Sequence, residues 1–589
     1  MTDTAAPAGT PAGTPPAADA PAHPPRPWES RLWPTEVDWH AELPARPLTA
    51  LFDASVARFA DRPALDFLDR KLSYAELGRM ADRFAAGLQQ AGISKGDRVG
   101  LFLPNTPYFV AAFFGALKAG AVVVNFNPLY AEREIAKQIE DAGVDLMVTL
   151  DVAILCDKLE RMLAETRLNR VVVCRMADIL PAPKKWLYPI VRRKDVAKPP
   201  RDDRHLRFEH LGDNDGRFDP VSIGPDDLAV LQYTGGTTGL PKGAMLTHAN
   251  LSANIAQSRL WFVAAREGQE KTLGVLPFFH VFAMTVVMGL SIEIGAEIIL
   301  LPRFELDQVM KTIDGKKPTL FPAVPTIYTA VANHPDLSKY DVTSIRMCIS
   351  GGAPLPVEVK QRFEHLTGAT VTEGYGLTES SPVACCNPFT SENKPGSIGL
   401  PLPGTTIEIV SLEDRSKVLG VGERGEVTIR GPQVMKGYWN QPEETAATLV
   451  DGRLHTGDVG TIDADGYVYI VDRIKDLILA GGFNIYPRNV EEALYLHPAV
   501  AECVVAGVPD DYRGETVKAY IKLSAGHGHT TPEDFKAFLK DKLSPIEIPK
   551  HWEFRDELPK TMIGKLSRKA LLDEEAARRE AEAQAGAGG

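Results

Sequence analysis

Cysteine is scarce in this chain of 589 residues: six, at Cys156, Cys174, Cys348, Cys385, Cys386 and Cys503, and none in a C-x-x-C pair. That pattern excludes a disulfide framework and a zinc site, so the thiols read as free groups in a reducing, cytoplasmic compartment. Long uninterrupted apolar runs are also missing. The most apolar stretch, YFVAAFFGALKAGAVVVNF, is cut by Lys118 and Gly120; it fits a buried helix turning into a strand and is too short to span a bilayer. Positive charge is in deficit, with 77 acidic against 65 basic residues and a net charge of −12, which argues against broad nucleic-acid binding. The N-terminus lacks the cationic flank and apolar core of a signal peptide, and the Pro/Ala/Gly bias of residues 1–27 predicts a disordered leader.

What is present is a globular composition, 44% hydrophobic and 24% charged, on a chain too long for one core. From about residue 48 to 230, helical patterns such as SYAELGRMADRFAAGLQQAG alternate with β-branched runs such as DRVGLFL, AVVVNF and RVVVC. Such alternation predicts an α/β layer with parallel strands. A second set, with TLGVLP, AEIILLP and SIRMCIS as strands, predicts a similar layer between about 228 and 400. Strand-and-turn texture over about 400–472 predicts a small β-barrel subdomain, and the remainder a compact α+β unit. The expected division is a large N-terminal domain over 28–474 and a smaller C-terminal domain over 475–589.

The stretch YTGGTTGLPKGAMLTH, Tyr233 to His248, follows the apolar run DLAVLQ. Its glycines allow close backbone approach, its threonines supply hydroxyl donors, and Lys242 adds a point charge, a combination suited to a nucleotide's phosphate tail. The Walker pattern G-x-x-x-x-G-K-[ST] fails, because Lys242 is preceded by Pro241 and followed by Gly243. Taken alone, the stretch also fits a flexible surface loop.

Further motifs follow in order: LPFFHVFA (277–283 from its proline), SGGAPL (350–355), EGYGLTES (373–380), LHTGDVG (454–460), DRIKDLILAGGFNIYP (472–487) and LPKTMIGKLSR (558–568). The ordered set resembles the adenylate-forming superfamily of acyl-CoA synthetases, luciferases and peptide-synthetase adenylation domains, over about residues 48–572. Within it, DGRLHTGDVGTIDADGYVYIVDRIKDLI and EFRDELPKTMIGKLSRKAL look like bacterial long-chain fatty acid–CoA ligases.

The resemblance implies ATP and CoA as cosubstrates, Mg²⁺ as cofactor, and roles for particular residues. Thr234, Gly235, Gly236, Thr237, Thr238, Gly239 and Lys242 would hold the β- and γ-phosphates; Thr378 would touch the α-phosphate and Glu379 would bind the metal. Tyr375, beside Gly376, would stack on adenine next to the Gly351 and Gly352 backbone, and Asp458, with Arg473 near it, would fix the ribose. His280 would lie between nucleotide and acyl pocket, although its apolar neighbours equally suit a hydrogen-bonded core histidine. Lys565 would stabilise negative charge during adenylation, Lys475 would be the hinge of the C-terminal unit, and Gly481, Gly482, Phe483 and Asn484 would line the CoA tunnel.

A long-chain fatty acid is the expected substrate; medium-chain or aryl acids, an enzyme stopping at acyl-AMP, and a catalytically silent nucleotide-and-acyl-binding protein are the alternatives. A homodimer is compatible with the sequence. Residues 180–198, LPAPKKWLYPIVRRKDVAK, interleave Lys184, Lys185, Arg192, Arg193 and Lys194 with Trp186, Leu187, Tyr188, Ile190 and Val191. That pattern suits an anionic membrane surface on the inner face of the cytoplasmic membrane. Three prolines there argue against a long helix, and a solvated loop is the plainer reading.

Overall fold

The computed structural model describes residues 34, 36–39, 41–234, 241–480, 483–510, 513–561 and 565–587, without the side chains of 483, 484 and 580–587. The expected leader 1–27 lies outside them.

Short apolar runs ending in a polar residue set the first layer. Seven strands run in the order His205–Arg207, Arg170–Cys174, Leu146–Leu150, Arg98–Phe102, Val122–Asn125, Leu228–Tyr233 and Gly243–Thr247. All neighbours are parallel except the final hairpin. Runs such as VVVN and LMVTL are buried throughout, as strands covered on both faces require. Helices return the chain between them. Tyr74–Gln90 begins with a capping box, in which Ser73 Oγ accepts from the Glu76 amide at 3.2 Å and the Glu76 carboxylate accepts from the Ser73 amide at 2.8 Å.

The second sheet runs Arg70–Ser73, Pro63–Phe67, Glu297–Leu300 and Lys271–Gly274. It continues through Leu320, which bridges Thr272 and Met347, into Met347–Ser350, Thr370–Gly376, Val383–Cys386 and Leu400–Pro401. The two layers expected over about 48–230 and 228–400 exchange strands across that boundary. Pro63–Phe67 leaves the first layer to pair in parallel with Glu297–Leu300, while Leu228–Tyr233 and Gly243–Thr247 complete the first sheet instead of opening the second. Pairing follows complementary buried faces, and Leu65 opposite Ile298 joins positions 233 residues apart that chain order does not relate.

Thr406–Val410, Gly425–Arg430, Arg453–Ile462, Leu449–Val450 and Val468–Arg473 form a five-stranded antiparallel sheet in the region expected to be a barrel. A last sheet of Phe483–Ile485, Ile478–Ala480, Gly514–Leu523, Val500–Asp510 and His551–Phe554 carries the helices Pro487–Tyr495 and Pro532–Leu539. One hydrophobic core runs from Val37 to Val468, and a separate one from Ile478 to Leu539. The fold is therefore mixed α/β, with a large N-terminal domain and a small C-terminal one. All six cysteines are free and buried, and among the described residues no helix is long and apolar enough to cross a membrane.

Candidate active site

Open α/β sheets bind ligands beyond the carboxyl ends of their strands, and here several such ends converge. Thr234 follows Leu228–Tyr233 and Lys242 precedes Gly243–Thr247; Gly351 and Gly352 follow Met347–Ser350; Tyr375 and Gly376 close Thr370–Gly376, with Thr378 and Glu379 just beyond. Together with His280, Asp458, Arg473, Lys475 and Lys565 they line one cleft of about 2280 Å³. Gly235, Gly236, Thr237, Thr238, Gly239, Gly481 and Gly482 lie outside the described residues, while Phe483 and Asn484 sit on a strand paired with Ile478–Ala480.

The best-ordered constellation centres on Asp458. Its carboxylate is 3% exposed and accepts from the Tyr375 hydroxyl at 2.5 Å and from Arg473 Nε at 2.9 Å. Strand register makes this arrangement, because Asp458 and Arg473 are directly opposed in the antiparallel pair. The Asp458 charge raises the Arg473 pKa, and burial, reinforced by Asp458, pushes the Tyr375 phenol well above its usual range. Tyr375 thus remains a neutral donor. At Gly376 a Cβ would stand 1.9 Å from the Pro382 carbonyl oxygen, so only glycine permits this path.

At the opposite end, Lys242 Nζ pairs with Glu444 at 2.5 Å and lies 5.1 Å from the centre of the Tyr438 ring. The Tyr438 hydroxyl in turn donates to Glu379 Oε1 at 2.6 Å. A cation and a carboxylate expected to serve phosphate and metal are therefore linked through one tyrosine.

Lys565 reaches the cleft from the small domain. Thr561 and Lys565 hydrogen-bond to each other twice, from the Thr561 amide to the Lys565 carbonyl at 2.6 Å and from the Lys565 amide to Thr561 Oγ1 at 3.1 Å. Three residues on, Arg568 is anchored by Asp476 at 2.6 Å and Glu491 at 2.8 Å. Burial, with the nearby Arg473 cation, lowers the Lys565 ammonium to about 8. Burial, with Lys565, lowers the His280 imidazolium to about 4, so the ring is neutral at pH 7. The His280 Nδ1 accepts from the Phe282 amide at 3.3 Å, leaving the cleft-facing residue a local hydrogen bond that also satisfies the core-histidine reading.

Several cleft residues escaped the sequence reading. Glu373, 6% exposed, has its carboxyl pushed up to about 7 by burial, and Asp472 is pushed up to about 6 by the same cause. Asp472 accepts from the Arg488 amide at 2.8 Å, tying the start of a small-domain helix to the large domain. Both acids stand inside quoted motifs, where a first residue beside a glycine or arginine gave no sign of its burial. Asn125, Gln138 and Gln232 form a buried amide chain: Asn125 Nδ2 donates to Gln232 Oε1 at 2.9 Å and Gln138 Nε2 to the Asn125 carbonyl at 2.9 Å. The available signal was an amide closing each apolar run, VVVN and LAVLQ. Tyr438 and Glu444 lie in KGYWNQPEET, outside every motif considered.

The sequence pattern of the family described as AMP-binding enzyme matches residues 52–439, and that of its C-terminal domain matches 489–565. The chain belongs to the AMP-binding enzyme family. Among AMP-binding enzymes, it is 47% identical over 562 residues to the long-chain-fatty-acid–CoA ligase of Bacillus subtilis, covering 93% of this chain and 98% of that one. ATP-bound MatB of Rhodopseudomonas palustris superposes with a TM-score of 0.79 at 29% identity, over 89% of this chain and 98% of that one. The anthranilate CoA ligase AuaEII in complex with anthranoyl-AMP gives 0.80 at 26% identity, over 92% of this chain and 99% of that one.

Proposed function

We propose that the protein is an ATP-dependent long-chain fatty acid–CoA ligase. The observation that carries this reading is the convergence of Lys242, Glu379, Asp458 and Lys565 on one cleft, in a chain akin at 47% identity to a long-chain ligase. A fatty carboxylate oxygen attacks the α-phosphorus of ATP, the Pα–O bond to the β-phosphate breaks, and pyrophosphate leaves. The CoA sulfur then attacks the acyl carbon, and the acyl–oxygen bond to AMP breaks. No protein side chain becomes covalently attached, so the contribution of the chain is positioning and electrostatics.

In this reading Asp458 and Arg473 hold the ribose, Tyr375 with the Gly351, Gly352 and Gly376 backbone holds adenine, and Thr234 to Gly239 with Lys242 hold the β- and γ-phosphates. Thr378 meets the α-phosphate, and Lys565 supplies a cation to the charge developing there. His280, neutral at pH 7, supplies shape and hydrogen bonding between nucleotide and acyl pocket. Among the described residues no three His, Cys, Asp or Glu side chains converge on a metal site. A lone carboxylate at Glu379 nevertheless fits Mg²⁺, which keeps waters and takes one or two protein carboxylates plus substrate phosphates. When bound, the ion would neutralise phosphate charge.

The division at about residue 475 rests on the gap between the two hydrophobic cores, Val468 to Ile478. Lys475 is the hinge residue, and Gly481 to Asn484 line the CoA path after rotation. Lys475→Pro fixes φ there and should impair thioester formation while sparing adenylation; equal loss of both half-reactions would reject it. Burial of the acyl tail contributes about 0.8 kcal/mol per methylene, so adjacent chain lengths are separated weakly and a broad optimum is expected. An anionic membrane surface is a fitting partner for an enzyme of such substrates. Homodimerisation would show in the mass of the protein in solution.

The deciding assay is AMP release with ATP and Mg²⁺ over acids from acetate to oleate plus benzoate, with and without CoA. CoA-dependent turnover with a long-chain optimum is the expected result. A short-chain or aryl optimum would replace the substrate, pyrophosphate and acyl-AMP formed without AMP release, whether or not CoA is present, would favour the acyl-AMP-forming alternative, and no pyrophosphate with any acid would leave a binding protein.

A further inference from the structure

Outside the cleft, the least expected surface is the short helix Lys184–Val191. None of its residues is buried. Trp186, Leu187, Ile190 and Val191 are 66%, 50%, 72% and 73% exposed, and Ile190 and Val191 are the two most exposed large hydrophobics among the described residues. Their spacing of i, i+1, i+4 and i+5 puts them on one side of the helix. Tyr188, on the other side, packs against the main core and fixes the helix to the body. The helix stands on Pro183, whose carbonyl accepts from the Trp186 and Leu187 amides at 3.1 and 3.2 Å.

Around this apolar stripe the charge reverses sign. Residues 184–207 carry nine Lys and Arg against three Asp, in a chain whose net charge is −12. Some cations are neutralised locally: Lys184 by Asp69 at 2.9 Å, Lys185 by Asp178 at 3.4 Å and Arg192 by Asp195 at 3.3 Å. Arg193, Lys194, Lys198, Arg201 and Arg207, by contrast, have no side-chain hydrogen bond or ion pair among the described residues. Beneath the helix lies a second cavity of about 310 Å³, lined by Tyr188, Arg175, Lys198, Arg201, Arg207 and Asp151. The single acid there is already engaged, since the Asp151 carboxylate accepts from the Met176 amide at 2.7 Å. Four cations thus face one cavity adjoining the apolar helix.

We infer that this helix and the basic cavity beneath it form one docking site for a bilayer containing anionic phospholipid. The stripe Trp186, Leu187, Ile190 and Val191 enters the interfacial region of the lipid, and the cavity receives a headgroup phosphate through Arg175, Lys198, Arg201 and Arg207. The pairing of an exposed apolar face with cations of which Lys198, Arg201 and Arg207 are unpaired among the described residues, Arg175 being shared with Asp178 at 3.6 Å, selects this occupant. A protein groove would cover the stripe without requiring the charge, and a polyanion without acyl chains would leave the stripe in water. The inference gives a built site to the membrane partner proposed above, and it does not depend on which acid the cleft activates.

The test uses the full chain and sedimentation with phosphatidylcholine vesicles, with and without phosphatidylglycerol. Anionic vesicles should bind at least about fivefold more protein, because each basic residue near an anionic surface contributes roughly that factor, and added salt should erase the difference. The combined variant Trp186→Ser, Ile190→Ser, Val191→Ser should lose binding to both vesicle types. The variant Arg193→Gln, Lys194→Gln, Arg207→Gln should bind the two vesicle types nearly alike, losing most of the anionic preference. Brominated lipid should quench part of the tryptophan emission of the parent and less of it in Trp186→Phe. Equal sedimentation of parent and triple-serine variant, equal binding to the two vesicle types, or no binding by the parent would each overturn the site, the last pointing to a protein partner. AMP release on dispersed substrate without vesicles, unchanged in both variants, certifies that they fold. Vesicle binding by a parent that releases no AMP would sink the ligase reading and leave the docking site standing.

Discussion

The two ends of the cleft are built differently. At the end proposed for the nucleoside, Asp458, Tyr375 and Arg473 already hold one another, a buried carboxylate taking two donors, with Arg473 set opposite it by strand register. At the end proposed for the outer phosphates, Lys242 is held by Glu444, a residue 49% exposed in its side chain; Lys565, near Arg473 and Asp458, is a cation made easier to discharge by its surroundings. A neutral, rigid ligand part can be met by a finished site. A polyanion must be met by cations, and cations waiting in a cleft need provisional partners or a lowered charge cost.

Removing the Lys565 cation should give the largest effect. Lys565→Ala should slow acyl-AMP formation by about 10²- to 10³-fold while thioester formation from supplied acyl-AMP stays within a few fold; single-turnover assays of each half-reaction read the difference, and parallel losses would refute the assignment. Next, Asp458→Ala strands Tyr375 and Arg473 and should raise KM for ATP by roughly tenfold, with a loss of about 2–4 kcal/mol in stability measured by denaturant unfolding. An unchanged KM would mean that this finished end does not meet the nucleoside.

The third effect concerns pH. The Lys565 ammonium is charged below about 8 and loses its proton as pH rises through that value, so kcat/KM for ATP should fall on the alkaline side with a midpoint near 8. Lys565→Arg keeps its charge, and whatever activity it retains should lack that limb. The smallest effect is expected at the provisional partner: Glu444→Gln frees Lys242 and should lower KM for ATP about two- to fivefold. A rise in KM would show instead that Glu444 positions the lysine.

Part of this cleft could be read from the chain because several motifs sit where a strand ends, and strand ends are marked by glycine and polar residues after an apolar run; LHTGDVG lies instead within Arg453–Ile462. Tyr375, Gly376, Thr378 and Glu379 are one such end, and their neighbourhood follows from the parallel pairing of Thr370–Gly376 with Met347–Ser350. Pairings across long separations were not legible: Pro63–Phe67 beside Glu297–Leu300, or Lys242 beside Glu444, 202 residues on. Burial was equally hidden. Glu373 and Asp472 are ordinary acids in the sequence, and only their burial in the fold lifts the carboxyl pKa values to about 7 and 6.

The six cysteines have a chemical consequence. An acyl-adenylate is an electrophile that any nearby thiolate would consume, converting the protein into its own acylated by-product. Every thiol of this chain is buried, and burial pushes each above the usual cysteine range, to about 12 at Cys156 and Cys386. Even Cys503, on the cleft wall, is only 2% exposed. An enzyme of this design leaves the incoming cosubstrate as the one reactive sulfur nucleophile among the described groups, and long turnover should leave its own mass unchanged.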